Sequence, residues 1–260
     1  MSSFSSFFKP FKDLIKYHIR WKYTRKDWFL GRHACLGYDV LKYFKNLPTE
    51  VNFQKGRVDI LLSYWKDKTA SPKADKVSKF MARHDVLPLI RQLSFFYLLP
   101  KKAPNFIFMD SFSELVDQLF VNRAEGWKFT CAYNDINHGG GFLDFYECMG
   151  LLPKEELKKY YLDLIIFFED RYGKVPIYFL HFPIALEKRE VYRERYRAII
   201  SAIDQLSQIY SHLHSIKINE FEVSPPSHTH TQDTPESLNG FPYHYDTKTY
   251  TEFAKLLDLN

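Results

Sequence analysis

The sequence predicts an α/β protein, a three-layer α/β/α sandwich around a mostly parallel sheet. Three observations lead there. Short, almost wholly apolar runs recur along the chain, segments with helical periodicity separate them, and polar residues collect just after the apolar runs. Strands buried on both faces read as continuous apolar runs, and the helices between them cover the two faces. In such a sheet ligands bind beyond the carboxyl ends of the strands. The segments after the strands are therefore where chemistry is expected.

Taken in order, "DWFLG" (27–31) reads as the end of a short strand and 37–47 as a helix. "VDILLSYW" (58–65) reads as an apolar strand, and 73–98 as mostly helical with a break at Pro88. "NFIFMD" (105–110) is a buried strand, "SELVDQLF" (113–120) a helix and "WKFTCAY" (127–133) a strand. Residues 154–171 form a helix with Leu157, Tyr161, Leu164, Ile165 and Phe168 on one face. "VPIYFLHF" (175–182) is a strand. Residues 187–212 follow as a long helix with Tyr196, Ile199, Ile203, Leu206 and Ile209 inward. "SIKINEFE" (215–222) is the last strand and 248–257 a closing helix.

A chain of 260 residues is ample for one large domain or two small ones. The reading is a basic amphipathic segment, 1–26, followed by one domain, 27–260. The net charge of +5 is concentrated at the start. Residues 9–26 hold Lys9, Lys12, Lys16, Arg20, Lys22, Arg25 and Lys26 against Asp13, and the remainder is close to balanced. With no zinc-finger spacing, no RNA-recognition signature and no second basic stripe, a nucleic-acid partner is not expected. Cys35, Cys131 and Cys148 include no Cys-x-x-Cys pair, and an odd count argues against a disulfide framework, which points to a reducing compartment. No stretch reaches the ~20 apolar residues of a membrane span, and the start lacks the apolar core of a signal peptide. The expected location is the cytoplasm. Phe4, Phe7, Phe8, Phe11, Leu14 and Ile15 recur at helical spacing among the lysines. That pattern fits a helix lying on the inner face of a membrane, or one packed on the domain with a solvated basic face.

Four of the strand-end loops are rich in polar groups: "GRHACLG" (31–37), "YNDINHGGGF" (133–142), "FPIALEKR" (182–189) and the long 224–246, which holds His228, His230, Asp233, Glu236 and His244. His228 and His230 could place two imidazoles on one side of an extended segment, but no acidic partner has firm spacing, and a polar loop explains them as well. No metal is expected. Gly139–Gly141 is followed by no Gly-Lys-Ser/Thr, so it permits a tight loop or a close substrate approach rather than a phosphate cradle. Cys35 at a helix start would have its pKa lowered by the dipole and serve as a nucleophile; the plainer reading is inert filler. Ser111 after "NFIFMD" has the same two readings, nucleophile or helix N-cap.

The order of these pieces resembles the SGNH, or GDSL-like, hydrolase and acyltransferase superfamily over residues 27–257. "FLGRHACLGYDVL" looks like its first block, "AYNDI" like its Gly-x-Asn-Asp block and "FPYHYDTKTYTEFAKLL" like its closing block. The resemblance implies a flavodoxin-like sheet, His244 as catalytic base and Asn134 as an oxyanion-hole donor. It also suggests Cys35 as nucleophile, as in related capsule acetyltransferase-like proteins that use Cys for Ser. The position two after Gly31, where the family carries its nucleophile, is His33. The position three before His244, where it carries Asp, is Phe241. Asp233 or Glu236 would then orient His244. Gly31, Arg32, His33, Asp135 and His138 would line the substrate site, with Arg32 holding an anionic group. The implied activity is movement of an acyl group, in the simplest case acetyl, on or off a bacterial surface carbohydrate such as capsular polysaccharide. Acetyl-CoA would be the donor for transfer. Two other readings stay open: a carbohydrate-active transferase of another mechanism, and a degenerate SGNH-like binding or scaffold protein in polysaccharide assembly.

Removal of residues 1–26 is expected to abolish co-sedimentation with anionic vesicles while leaving the fold intact. Undiminished vesicle binding by the shortened chain would assign the basic segment to the domain surface.

Overall fold

The computed structural model describes residues 27–66, 71–94, 99–226, 242–257 and 259. The strands are β1 (Trp28–Arg32), β2 (Thr49–Asn52), β3 (Ile107–Asp110), β4 (Asp117–Asn122), β5 (Lys128–Ala132), β6 (Tyr146–Gly150), β7 (Ile177–Leu180) and β8 (Leu213–Ile216). The helices used below are α1 (Cys35–Leu41), α2 (Val58–Lys66), α3 (Ala74–Val77), α4 (Leu87–Gln92), α5 (Phe112–Val116), α6 (Phe142–Phe145), α7 (Leu157–Tyr172), α8 (Glu190–Ser207) and α9 (Thr247–Lys255).

Five strands form one sheet in the order β2-β1-β3-β7-β8, and every neighbouring pair is parallel. The chain steps outward from β1 to β2, then crosses back past β1 to β3. The order therefore reverses between β1 and β3, which is the switch point of a flavodoxin-like sheet. β1, β3 and β7 carry buried apolar residues on both faces because helices cover both. Successive residues of a strand point to opposite faces. Arg32 reaches the side of α7 through Glu114, which also takes the Tyr161 hydroxyl, whereas the ring of His33 lies against Gly37 of α1. So α1, with α9 packed on it, covers one face, and α7, packed between α2 and α8, covers the other. The expected three-layer α/β/α fold is present. Among the described residues no helix is long and apolar enough to cross a membrane.

An insertion between β3 and β7 departs from the expectation. β4, β5 and β6 form a separate antiparallel sheet in the order β5-β4-β6. Its inner face builds a second core from Phe120, Phe129 and Tyr146, closed by Phe80 and Val77 from the 74–92 segment. "WKFTCAY" is thus a strand, but not one of the parallel sheet.

Other elements are corrected too. "VDILLSYW" is the helix α2, not a strand. A short apolar run does not fix its own period, and here the carboxylate of Glu114 accepts the N–H of Val58 at 2.9 Å and starts the helix from 56 residues away. "SELVDQLF" is helical only to Val116 and then becomes β4. The 73–98 segment breaks into α3, two 3-10 turns and α4, which takes Pro88 into its first turn rather than stopping there. β2 is too short and too polar to have been read. α8 ends at Ser207, leaving Ile209 exposed, and β8 occupies 213–216 rather than 215–222. In α7 all five residues read as inward are buried. The 1–26 segment lies outside the described residues.

Buried charge ties the parallel sheet to the helices that cover it. Glu114 has no exposure and Arg32 has 1%. The Arg32 guanidinium bonds Glu114 with Nη2 and the Gly56 carbonyl with Nε at 2.8 Å, while Arg195 Nε donates to the Glu114 carbonyl. Removing one member of a buried ion pair leaves an uncompensated charge and costs about 3–5 kcal/mol. Glu114→Ala is expected to lose that much in urea unfolding. Arg32→Met combined with Glu114→Leu, which removes both charges, should recover most of it. An equal loss in the single and double variants would show that shape, not charge, sets the cost.

Candidate functional site at the switch point

At the switch point the carboxyl ends of β1 and β3 lie side by side, and a buried carboxylate fills the space between them. Asp110 ends β3. Its Oδ2 accepts the N–H of Ala34 at 2.7 Å and of Gly37 at 3.4 Å, and its Oδ1 accepts the N–H of Phe112 at 3.0 Å. Burial pushes the Asp110 carboxyl up, and the charge of His33 and these backbone bonds offset only part of the rise. The amides that open α1, where a doubly wound fold commonly receives a ligand anion, are therefore already held by the protein's own carboxylate.

His33 faces the other way. Its ring is fully buried; Nε2 lies 2.6 Å from Glu50 Oε1 and Nδ1 3.3 Å from the Ala34 carbonyl. Both ring nitrogens face oxygen acceptors, so the imidazolium donates from both. Burial alone would push His33 down, but the bond to Glu50 and the charges of Glu50 and Asp110 outweigh it and the pKa is raised. Two glycines make the pair possible. A Cβ on Gly37 would stand 2.5 Å from the His33 side chain, and one on Gly31 would stand 2.8 Å from Glu50 Oε1. The glycines of "GRHACLG" are spaces for an internal ion pair. Gly31 itself lies inside β1, paired with Asn52 and Phe108, and supplies no loop amide.

The roles expected for this segment are corrected accordingly. Arg32 does not reach a ligand: β1 runs through it, and strand alternation turns it inward to Glu114. His33, at the position of the family's nucleophile, is buried with its ring held by Glu50 and the Ala34 carbonyl. Cys35 opens α1, but its thiol donates to the carbonyl of Tyr243 at 3.5 Å. Burial, Asp110 and Asp39 push its pKa up rather than down. Burial, helped by the two carboxylates, outweighs the backbone amides at the start of α1, and Cys35 rests as a thiol. Ser111 stands before α5 without capping it; its buried Oγ accepts the N–H of Phe182 at 3.4 Å.

Residues 242–246 run across this edge as a strap. Tyr243 and Tyr245 point inward and are buried, while His244 between them is half-buried. The Tyr243 ring meets Phe112 and Phe182 edge-on, at centroid distances of 5.8 and 5.7 Å. Its hydroxyl donates to Glu187 Oε2 at 3.0 Å and accepts from Arg189 Nη2 at 3.2 Å. The Tyr245 hydroxyl donates to the Pro183 carbonyl at 3.3 Å. Burial lowers the pKa of His244, with Asp39 working against it, so its imidazole is neutral at pH 7. Asp246 caps α9 by accepting the N–H of Thr249 at 2.8 Å. The structure thus brings Cys35 and the backbone of the His244 strap together.

Asn134, Asp135 and His138 follow β5 of the antiparallel sheet, so the reason for expecting them at the parallel sheet's edge does not hold. Asn134 is exposed in the turn Tyr133–Asp135. Asp135 is buried: its Oδ2 accepts the N–H of Ala132 at 2.9 Å and a bond from Lys55 Nζ at 3.1 Å, and Lys55 also bonds Asp117 Oδ1 at 2.9 Å. That bridge fastens the insertion to the β2–α2 loop rather than lining a cleft. His138 stacks on Tyr133 at 3.8 Å and bonds its carbonyl at 2.8 Å, closing the glycine loop on itself. His228, His230, Asp233 and Glu236 lie outside the described residues. Among the described residues no three His, Cys, Asp or Glu side chains form a group that could hold a metal. The residues missed were Asp110, Glu50 and the Glu187–Arg189–Tyr243 group. Only Asp110, closing an apolar strand, carried a signal in sequence.

A group whose folded pKa is raised contributes stability that is complete below its unfolded pKa, about 6.5 for histidine, and is lost as pH rises through the folded value. His33→Gln should therefore destabilise most near pH 6, by about 1.5–3 kcal/mol for a charged hydrogen bond, and progressively less in alkali. Urea midpoints of both proteins across this range check it. A gap that stays constant or widens with pH would refute the imidazolium.

A scan against protein-family models and a search of curated proteins found no match to this chain, so what it does has to be argued from the chemistry of the switch-point edge.

Proposed function

We propose that this chain is an SGNH-like enzyme that moves an acyl group, in the simplest case acetyl, on or off a carbohydrate hydroxyl, with His244 as the proton acceptor. The observation that carries the reading is the contact between the Cys35 thiol and the Tyr243 carbonyl, which joins residues 208 apart in sequence at the mouth of the switch point. A neutral imidazole is the form that accepts a proton. A thiol whose pKa is raised is a strong nucleophile once a base removes its proton within the step. In outline, Cys35 sulfur attacks the acyl carbonyl as His244 takes the thiol proton. The leaving alcohol or thiolate receives that proton, and the thioester passes its acyl group to water or to a sugar hydroxyl. Surface polysaccharide is the substrate class the resemblance implies, and acetyl-CoA the donor for transfer.

A second reading, a non-catalytic binding or scaffold subunit of similar fold, is favoured by one observation. Asp110 holds the backbone amides at the end of β1, and the rings of Phe112, Phe182 and Tyr243 pack on one another beyond the ends of β3 and β7.

Release of acetate from acetylated saccharides and consumption of acetyl-CoA with a polysaccharide acceptor separate the two. His244→Ala and Cys35→Ala should each lose about 10²–10⁴-fold in rate with melting temperatures nearly unchanged. Activity and melting temperature falling together would make His244 structural. Full activity in either variant would remove that residue from the mechanism, and a wild-type chain inert in both assays would leave the scaffold reading.

A further inference from the structure

We propose that Arg189 is the anion-binding residue of this edge and holds a carboxylate or phosphate group of the substrate at its mouth. The inference deepens the acyl-transfer reading and rests on it for the purpose of the site, though not for the binding itself.

The loop after β7 ends in Glu187, Lys188 and Arg189, where α8 begins. Glu187 is buried, yet its partner is not: the Arg189 side chain is 52% exposed. An exposed arginine ordinarily samples many rotamers, but this one is fixed from every side. Its Nε donates to Glu187 Oε1 at 2.8 Å, and its Nη2 donates to Glu187 Oε2 at 2.7 Å and to the Tyr243 hydroxyl at 3.2 Å. Its guanidinium lies 4.0 Å over the ring of Tyr192. Neutralising Glu187 would be served as well by a buried partner. Here the carboxylate is inside and the guanidinium outside. Glu187 and Tyr243 take the Nε and Nη2 donors, which leaves the two N–H groups of Nη1 on a half-exposed, immobilised cation. Charged N–H donors of this kind suit carboxylate and phosphate oxygens.

Its place connects it to the chemistry. Tyr243 bonds Arg189 through its hydroxyl and Cys35 through its carbonyl, and His244 is the next residue. Arg193 Nη1 donates to the Glu187 carbonyl at 3.2 Å, placing a second cation, itself paired with Glu190, beside the first, and Lys188 precedes Arg189 in sequence. The α1 amides are held by Asp110 and the Arg32 guanidinium by Glu114, so an incoming anion at this edge has to be met by these side chains.

Calorimetric titration of the full chain at low salt with inorganic phosphate, with glucuronate and with glucose tests the proposal. Phosphate or glucuronate should bind and glucose should not. Arg189→Gln should weaken that binding about tenfold or more, and Lys154→Gln, in a surface ion pair with Glu194, should not change it. Tyr243→Phe keeps every charge but removes one bond that orients the guanidinium, and should weaken binding severalfold. Binding of phosphate alone assigns the group to a phosphorylated substrate or donor, and binding of glucuronate alone to an acidic sugar. If Arg189→Gln does not fold, Arg189→Lys decides instead: it retains the charge without the guanidinium and should still bind several times more weakly. Wild-type affinity in the folded Arg189 variant, or no binding of either anion by the wild type, overturns the proposal. Anion binding lost in the variant of a protein that moves no acyl group sinks the enzyme reading alone. Acyl transfer that depends on His244 but ignores Arg189 sinks the anion site alone.

Discussion

Glu114 sits where no water reaches, and a carboxylate in such a place survives ionised only if cations and donors surround it. It collects Arg32 from β1, the first amide of α2, and the Tyr161 hydroxyl from α7, while Arg195 of α8 bonds its backbone carbonyl. Four elements remote in sequence thereby share one charge. Such a cluster is weak evidence for net stability, because desolvating the ions costs about as much as their attraction returns. What it fixes is position. Once Arg32 must turn to Glu114, pleating turns His33 to the opposite face, where only a residue without a side chain can pass. Gly37 and Gly31 follow from that, and so does the start of α1 at Cys35.

The same constraint explains why the edge of the sheet is charged yet closed. Asp110 ends β3 beside β1, and the donors it finds are the amides of the α1 turn rather than a side chain. Lys55, between Asp117 and Asp135, repeats the device one loop further out, where it ties the insertion to the end of β2. Asp110, Glu114 and the Lys55 cluster each find their partners on a different element, so this part of the edge is held by contacts across the fold as well as by its own turns.

The parallel sheet was legible in the sequence because burial on both faces leaves an unmistakable trace. "NFIFMD" and "VPIYFLHF" are continuous apolar runs, and α7 repeats Leu157, Tyr161, Leu164, Ile165 and Phe168 at helical spacing. The misreadings have physical causes. "VDILLSYW" is as apolar as a strand, and the contact that makes it helical comes from Glu114, far along the chain. β2 lies at the sheet edge, buries Val51 alone and shows only "TEVN". "WKFTCAY" is a genuine strand, but sequence carries no mark of which sheet a strand joins, and the reason for expecting Asn134 at the parallel sheet's edge went with it. In the candidate site, His244 could be singled out as a histidine between a long polar loop and a closing helix. Arg32 and His33 could not be read correctly, because their partners, Glu114 on α5 and Glu50 on β2, are brought to them only by the tertiary fold. Arg189 was hidden in a segment that reads only as a charged helix start.

Where, then, does this edge leave room for a ligand? In a doubly wound sheet the crevice at the switch point commonly offers backbone amides to an anion. Here that offer is withdrawn by Asp110, and the aromatic rings of Phe112, Phe182 and Tyr243 pack on one another beyond the ends of β3 and β7. The polar groups that remain outward lie along the strap and the start of α8. These are His244, neutral and half-buried, and Arg189, ionised and immobilised. A base and a fixed cation on either side of Tyr243 differ in kind from the inward-facing charges of the rest of the edge. The Arg32–Glu114 pair and the Lys55 cluster are closed on both sides, whereas the Glu187–Arg189 pair turns its cation to solvent. That asymmetry, more than any single distance, is the reason for proposing recognition on the β7 and strap side of the switch point rather than on the β1 loop where the sequence first directed attention.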